Sequence, residues 1–285
     1  MPETAAIQCE NVNFSYPNGV QAIHNISLSI YMGDYIAFVG QNGSGKTTLV
    51  KHFNGLLKPT SGTVRVFGED TRDKKVSYLS RKVGYVFQNP DDMLFSPSVA
   101  EEIAYGPRML KVDPDQVSNK VESILQELDL KNLRDTHPFA LSLGDRQRLA
   151  VACALSLDPE VFVFDEPTTG QDYFGSQSIM GLIDELHHKG KTVIIITHDM
   201  PIVAEHARRV IIMNKGEIAL EGTPQEVFSQ VEKLQDLSLR APQVTMLARS
   251  LGLQNRTILH IPEMVNWIQD NLHEIQHPGR EPSHV

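Results

Sequence analysis

A chain of 285 residues, 41% of them apolar, can bury a sizeable core; this excludes a disordered segment and leaves room for one large α/β domain plus a small appendage. The formal net charge of −9 and the lack of any dense Lys/Arg run exclude a nucleic-acid binder, which needs a basic stripe to displace counterions. No apolar run approaches the roughly 18 residues of a membrane-crossing helix, the opening MPETAAIQCE has no secretory pattern, and Cys9 and Cys153 lack ligand spacing and read as small buried residues of a reducing cytosol.

Residues 5 to 39 alternate apolar and polar positions around turns at Pro17-Asn18-Gly19 and Gly33-Asp34, which predicts short antiparallel strands. The run Tyr35-Ile36-Ala37-Phe38-Val39 predicts a buried strand ending at Gly40, followed by a helix from about Lys46 to Asn54 closed by Gly55. Gly62–Phe67 and Val83–Phe87 read as further strands. Residues 98 to 155 are mostly helical in period, with Val117, Val121, Ile124, Leu125 and Leu128 on one face. The all-apolar strands Val161–Phe164 and Val193–Ile196 are separated by a helix over about Gly175–His188, so a parallel sheet covered on both faces is expected. A hairpin of Val210–Met213 and Glu217–Leu220 closes this domain near residue 225. Helical stretches follow to about residue 275, then a tail expected to fray.

Three segments carry chemistry. Gly40-Gln41-Asn42-Gly43-Ser44-Gly45-Lys46-Thr47 satisfies G-x-x-x-x-G-K-[ST] between a predicted strand and a predicted helix. Its glycines let backbone N–H groups turn toward phosphate oxygens, and the helix N-terminus adds positive potential. Lys46 reaches β- and γ-phosphates, Thr47 offers a hydroxyl to Mg²⁺, and Thr48 completes the ATP-contacting set with Asn42 and Ser44. Val161-Phe162-Val163-Phe164-Asp165-Glu166 places two acids at the C-terminal end of a buried strand, where α/β sheets hold their chemistry. Asp165 is the metal-holding candidate and Glu166 the base for an attacking water. Ile194-Ile195-Ile196-Thr197-His198-Asp199 ends a neighbouring strand, which makes His198 a γ-phosphate candidate.

With these residues assembled, the chain resembles the ATP-binding cassette (ABC) superfamily over about residues 5 to 225. Ala140-Leu141-Ser142-Leu143-Gly144-Asp145-Arg146-Gln147-Arg148 is similar to that family's LSGGQ signature, and Ser142 and Gly144 are expected to open a helix at Arg146–Leu155. The resemblance implies that this signature closes over ATP on a second ABC ATPase subunit, whether another copy or a related chain. It also implies that Tyr16 stacks on adenine (the alternative being a strand-end core aromatic), that Gln88 senses Mg²⁺ and the water, and that Asp172 crosses the subunit interface. Two places depart from the pattern. Gln171 stands where a leucine is usual, and Leu143 and Asp145 replace a glycine and the glutamine. Asp145 is expected to weaken the site it completes, with Arg146 and Arg148 offsetting part of its charge.

Gln88-Asn89-Pro90-Asp91-Asp92-Met93-Leu94-Phe95-Ser96-Pro97 and Ala104-Tyr105-Gly106-Pro107 resemble energy-coupling factor (ECF) transporter ATPases and their cobalt/nickel-uptake relatives. So does the stretch from Leu239 to Leu253, which matches their helical appendage. The resemblance implies an α/β fold: a P-loop core of parallel sheet with an antiparallel β subdomain, a helical subdomain at about 89–155, and an appendage and tail at 226–285. It implies ATP hydrolysis at the cytoplasmic face of a membrane, coupled to an integral T component and, indirectly, a substrate-binding S component. Met93, Leu94 and Phe95 are the expected docking surface, unless they fill the core. The competing readings are a soluble ABC ATPase without transport and a scaffold that holds ATP unchanged; Glu166 speaks against the second. His187 and His188 read as water-facing, and His260, His273, His277 and His284 lack ligand spacing.

Overall fold

The structure, a computed structural model, describes residues 5–253 and 256–271. β1 (Ala5–Ser15) and β2 (Gln21–Tyr31) pair antiparallel, and β3 (Tyr35–Val39) leads through the glycine loop into α1 (Lys46–Phe53). β4 (Ser61–Val66) and β5 (Glu69–Asp70) return to the first sheet, whose order is β2-β1-β4-β5. α2 (Val76–Leu79) and β6 (Val83–Val86) precede a helical layer of α3 (Val99–Met109), α4 (Pro114–Glu127) and α5 (Leu143–Ser156). Next come β7 (Val161–Asp165), α6 (Tyr173–His188), β8 (Thr192–Ile196), α7 (Met200–His206), β9 (Arg209–Asn214) and β10 (Glu217–Gly222). They complete a sheet of order β10-β9-β3-β8-β7-β6, parallel except for β10 at its edge. α8 (Pro224–Ser229), α9 (Val231–Asp236), α10 (Gln243–Ser250) and α11 (Ile261–Asp270) follow.

Every residue of β3, β7 and β8 is buried, so alternate side chains feed opposite faces of the sheet. Ala37, Val39, Phe162, Phe164, Val193 and Ile195 pack with α5, α6, α7 and the first appendage helices. Ile36, Phe38, Val161, Val163, Ile194 and Ile196 pack with α1 and the antiparallel sheet. The helical layer has its own core, in which Val117, Val121, Ile124, Leu125 and Leu128 meet Val99, Ile103 and Leu149. A small fourth cluster joins Ala248, Ile258 and Met264. No helix among the described residues is long and apolar enough to cross a membrane.

Several expectations need correction. β1 and β2 are eleven residues each, not short: register shifts, with Asn11 and Asn25 at φ 48°, break the alternation without ending the strands. α5 starts at Leu143, ahead of the expected Arg146, because Ser142 caps it by accepting from the Asp145 N–H at 3.2 Å. α6 starts at Tyr173, capped by Asp172. Leu94 is core, at 4% exposure, and Met93 is half-buried against the same residues; only Phe95, at 61%, presents itself to solvent. His187 does not simply face water, since its Nε2 lies 3.0 Å from the Gly33 carbonyl oxygen and its ring meets Tyr35. His260 immediately precedes α11, while His273, His277 and His284 lie outside the described residues.

Candidate active site

The glycine loop is built from conformations and clearances that only glycine satisfies. Gly40 has φ 152° and Gly45 φ 102°. A Cβ on Gly40 would stand 2.3 Å from the Met213 carbonyl oxygen, and one on Gly45 would stand 2.7 Å from that of Ala22. The loop is thus wedged between β2 and β9. Within it the Lys46 ammonium donates to the carbonyls of Gly40 at 2.8 Å and Gln41 at 2.9 Å. Burial draws the Lys46 pKa below its usual value, while the carboxylates of Glu166 and Asp165 pull it back up.

The parallel strands bring the acids to this loop. Thr47 at the start of α1 donates its hydroxyl to Asp165 Oδ2 at 3.1 Å, and Tyr85 on β6 donates to the same oxygen at 2.7 Å. Burial, then the neighbouring Asp165 charge, raises the Tyr85 phenol pKa, so it remains a donor. Glu166 sits just beyond β7 at φ 49°, an uncommon left-handed conformation for a non-glycine residue. Its N–H donates to the Ile196 carbonyl at 2.8 Å, which ties the turn to β8. His198 Nδ1 lies 2.9 Å from Glu166 Oε1; a carboxylate only accepts, so this nitrogen carries the proton. The opposite edge of the imidazole is open to solvent, the side chain being 70% exposed.

Gly43, Gly45, Asn42, Lys46, Thr47, Thr48, Gln88, Asp165, Glu166 and His198 line one cavity of about 210 Å³. Ser44 lies behind the lining, buried beside Gly40. Tyr16 reaches the same loop from the side, its hydroxyl 2.9 Å from Thr48 Oγ1 and its ring edge-on to Phe14. Ser142, Gly144 and Asp172 do not line that cavity. Ser142 donates its hydroxyl to Asp145 at 2.6 Å, and Asp145 is paired with Arg148. Burial on its own would raise the Asp145 pKa, but the Ser142 hydroxyl and Arg148 outweigh it and hold the carboxyl below the usual range. Arg146 is not available to offset that charge, since it pairs with Asp91 at 3.0 Å.

Two features were missed from the sequence. Tyr85 is a polar tip in an apolar strand, and only the pairing of Tyr85 with Val163, two residues before Asp165, reveals its target. Gln41 donates to the Leu237 carbonyl at 3.3 Å, joining the phosphate loop to the appendage, and no local sequence signal marks that contact.

Comparison with known proteins decides the family. Residues 23–169 match the ABC transporter family. An energy-coupling factor transporter ATP-binding protein EcfA of Methanocaldococcus jannaschii is 41% identical over 248 residues, 86% of this chain and 89% of that protein. The chain belongs to the ABC transporter ATP-binding family. An ABC transporter ATP-binding protein of Caldanaerobacter subterraneus is 45% identical over 91% of this cassette, which spans 45% of that relative's length. Among solved structures, cbiO1 of Clostridium perfringens, described as part of the ABC transporter complex cbiONQ, superposes with a TM-score of 0.74 at 35% identity, covering 87% of this cassette and all of that chain. An ATP-binding cassette solved as a dimer in a post-hydrolysis state with ADP and Pi gives 0.69 at 28% identity, over 76% of this cassette and 98% of that one. The matched family span takes in the phosphate loop, both acids and the signature helix of this cassette. It leaves Tyr16 and His198 on either side.

Proposed function

We propose that this cassette is the ATP-binding and ATP-hydrolysing subunit of an ECF-type ABC importer, seated on the cytoplasmic face of a membrane. The observation that carries the reading is the gathering of Lys46, Thr47, Asp165, Glu166 and His198 around one small cavity at the C-terminal ends of β3, β7 and β8. The loop amides, Lys46 and Thr48 hold the phosphates of ATP, and Tyr16 contributes its ring beside the base. Glu166, backed by His198, takes the proton of the attacking water.

The donors beside the phosphate loop fit Mg²⁺: the Thr47 hydroxyl, the Asp165 carboxylate and the Gln88 amide are hard oxygen ligands. Among the described residues no group of three or more His, Cys, Asp or Glu could hold a metal alone, which suits an ion shared with phosphates. When bound, Mg²⁺ neutralises developing phosphate charge.

Residues 1–225 form the ATPase domain in this reading, with a helical subdomain at about 89–155, and residues 226–285 form the appendage and tail. A second ATPase subunit receives Ser142, Gly144 and Asp172 of this chain over its own ATP and supplies its corresponding signature to this cavity. The membrane T component docks in a groove of about 270 Å³ lined by Phe87, Met93, Phe95 and Tyr105, and the S component is engaged only through it. The transported solute is chosen by those membrane subunits. The test is ATP turnover and solute uptake by the assembled complex, with Lys46→Ala beside the parent. Turnover should fall to background as the charge-assisted phosphate contact is lost. Parent-like turnover would remove the phosphate-loop assignment, and ATPase activity indifferent to any membrane partner would favour a soluble ABC ATPase.

A further inference from the structure

Glu102 lies in the first turn of α3 at 4% exposure. Its neighbour Glu101 pairs with Arg108, but among the described residues no cation pairs with Glu102. Its Oε2 instead accepts the backbone N–H groups of Phe95 at 2.8 Å and Ser96 at 2.6 Å. A glutamate near a helix start commonly reaches back to the N–H of the capping residue. Here the cap is Ser98, and Glu102 reaches past it to the two residues before Pro97. A buried carboxylate without a cation is costly unless hydrogen bonds satisfy it, and these two are of the strong, charge-assisted class. Three residues along the same face of α3, Tyr105 meets the Phe95 ring edge to face. Phe95 is thus fastened to α3 by its backbone and by its ring. Glu102, Tyr105 and Phe95 line one groove, and Cys153 of α5 lines it with them. Burial, then the Glu102 charge, raises the Cys153 thiol pKa, which puts the carboxylate beside α5 as well.

We propose that Glu102 is a positioning residue: it holds the Phe95–Ser96 backbone on α3, so that Phe95 meets the membrane partner at a fixed place. The inference rests on the docking reading above and adds the group that sets the docking surface. The segment involved starts at Gln88, which lines the ATP cavity, and ends at Phe95, which lines the docking groove. Its only regular turn is Pro90–Asp92, so no helix or strand fixes its far end. Buried Leu94 and the two N–H bonds to Glu102 do that instead. With Glu102 in place, a push on Phe95 is borne by α3 and, through their shared core, by α5. Without it the segment yields, and the push is absorbed where it lands.

Amide hydrogen exchange of the full chain, without a partner, reads the contact itself. Glu102→Gln keeps the size of the side chain and removes its charge. The Phe95 and Ser96 amides should then exchange about tenfold faster or more, the range of a lost bond to a charged group, while amides of α1 and β7 and MgATP binding stay as in the parent. In the assembled complex, well below the melting of the variant, Glu102→Gln should weaken attachment to the membrane partner by about tenfold. Glu102→Asp keeps the charge on a shorter arm, so it should recover part of both losses. In a Phe95→Ser background, Glu102→Gln should cost attachment nothing further, because Glu102 acts through Phe95. Parent-rate exchange of both amides overturns the proposal. So does parent-like attachment of Glu102→Gln beside weak attachment of Phe95→Ser, an outcome that leaves the docking reading intact. An additive loss in the double variant also overturns it, since Glu102 would then touch the partner directly. Full attachment of Phe95→Ser strikes the docking reading itself, and the proposal with it.

Discussion

Glu166 is held from three directions: the left-handed turn at φ 49°, the Ile196 carbonyl on its N–H, and His198 on its side chain. Glu166→Gln keeps the size and removes the base, so turnover should drop about 10² to 10⁴-fold while MgATP stays bound. Stopped turnover with nucleotide retained is the expected result of a binding and single-turnover assay; an unchanged rate would take Glu166 out of the catalytic role. Tyr85 acts one step further out. It does not line the cavity but donates to the oxygen of Asp165 that also receives the Thr47 hydroxyl. Removing a partner that orients a metal-holding carboxylate typically costs about 10- to 100-fold in metal affinity. Tyr85→Phe should therefore raise the Mg²⁺ concentration for half-maximal turnover by about that factor, with ATP binding in excess Mg²⁺ preserved. A magnesium titration that superposes on the parent's would show that Asp165 is oriented without it.

The segment after Gln88 separates two roles within three residues. Leu94 is enclosed by the helical layer while Phe95, next to it, lies edge-on to Tyr105 at 4.7 Å on the surface. Leu94→Ser should destabilise the isolated chain by about 2–5 kcal/mol, as large-to-small core changes do. Phe95→Ser should leave its melting within about 0.5 kcal/mol and weaken attachment to the membrane partner instead. Equal melting of the two variants would contradict this division. The segment also explains what could be read in advance. The runs Tyr35–Val39, Val161–Phe164 and Val193–Ile196 announce a doubly covered parallel sheet because burial on both faces leaves no polar position, and the acid, threonine or glycine ending each run marks the site. Met93, Leu94 and Phe95 carry no such signature: three apolar residues in a row, in irregular chain just after the short 3-10 turn Pro90–Asp92, have no period to say which faces inward. Arg146 illustrates the same limit for charges. Its nearness to Asp145 in sequence suggested pairing, yet the helix turns it toward Asp91 and leaves Asp145 to Arg148.

At the scale of the whole molecule, the proposed pairing of cassettes puts the effect of the altered signature on another subunit. Asp145 stays ionised beside Ser142, and a carboxylate about 8 Å from a phosphate charge costs roughly 2 kcal/mol at an effective dielectric near 20, before Arg148 and salt reduce it. In a pair with a different ATPase, Leu143→Gly with Asp145→Gln should then raise turnover at the partner's site, which this signature completes, by up to about tenfold, and leave the Lys46 cavity of this chain unaltered. Disabling one catalytic glutamate at a time resolves the two sites; no change at either would make the departure neutral. The division of the interior into separate cores has a further consequence, in the time the backbone takes to trade hydrogen with water. The cluster of Ala248, Ile258 and Met264 is small and separate from the core of the sheet, which Leu259 and Met246 reach beside it; the α3–α5 core is larger, and the two faces of the parallel sheet share the same strands and cannot open singly. Amide exchange should accordingly proceed in three tiers: α10 and α11 first, the helical layer next, and β3, β7 and β8 only with global unfolding. One common rate for all three would mean that they open together, and that the helical layer cannot move over the site while the sheet stays closed.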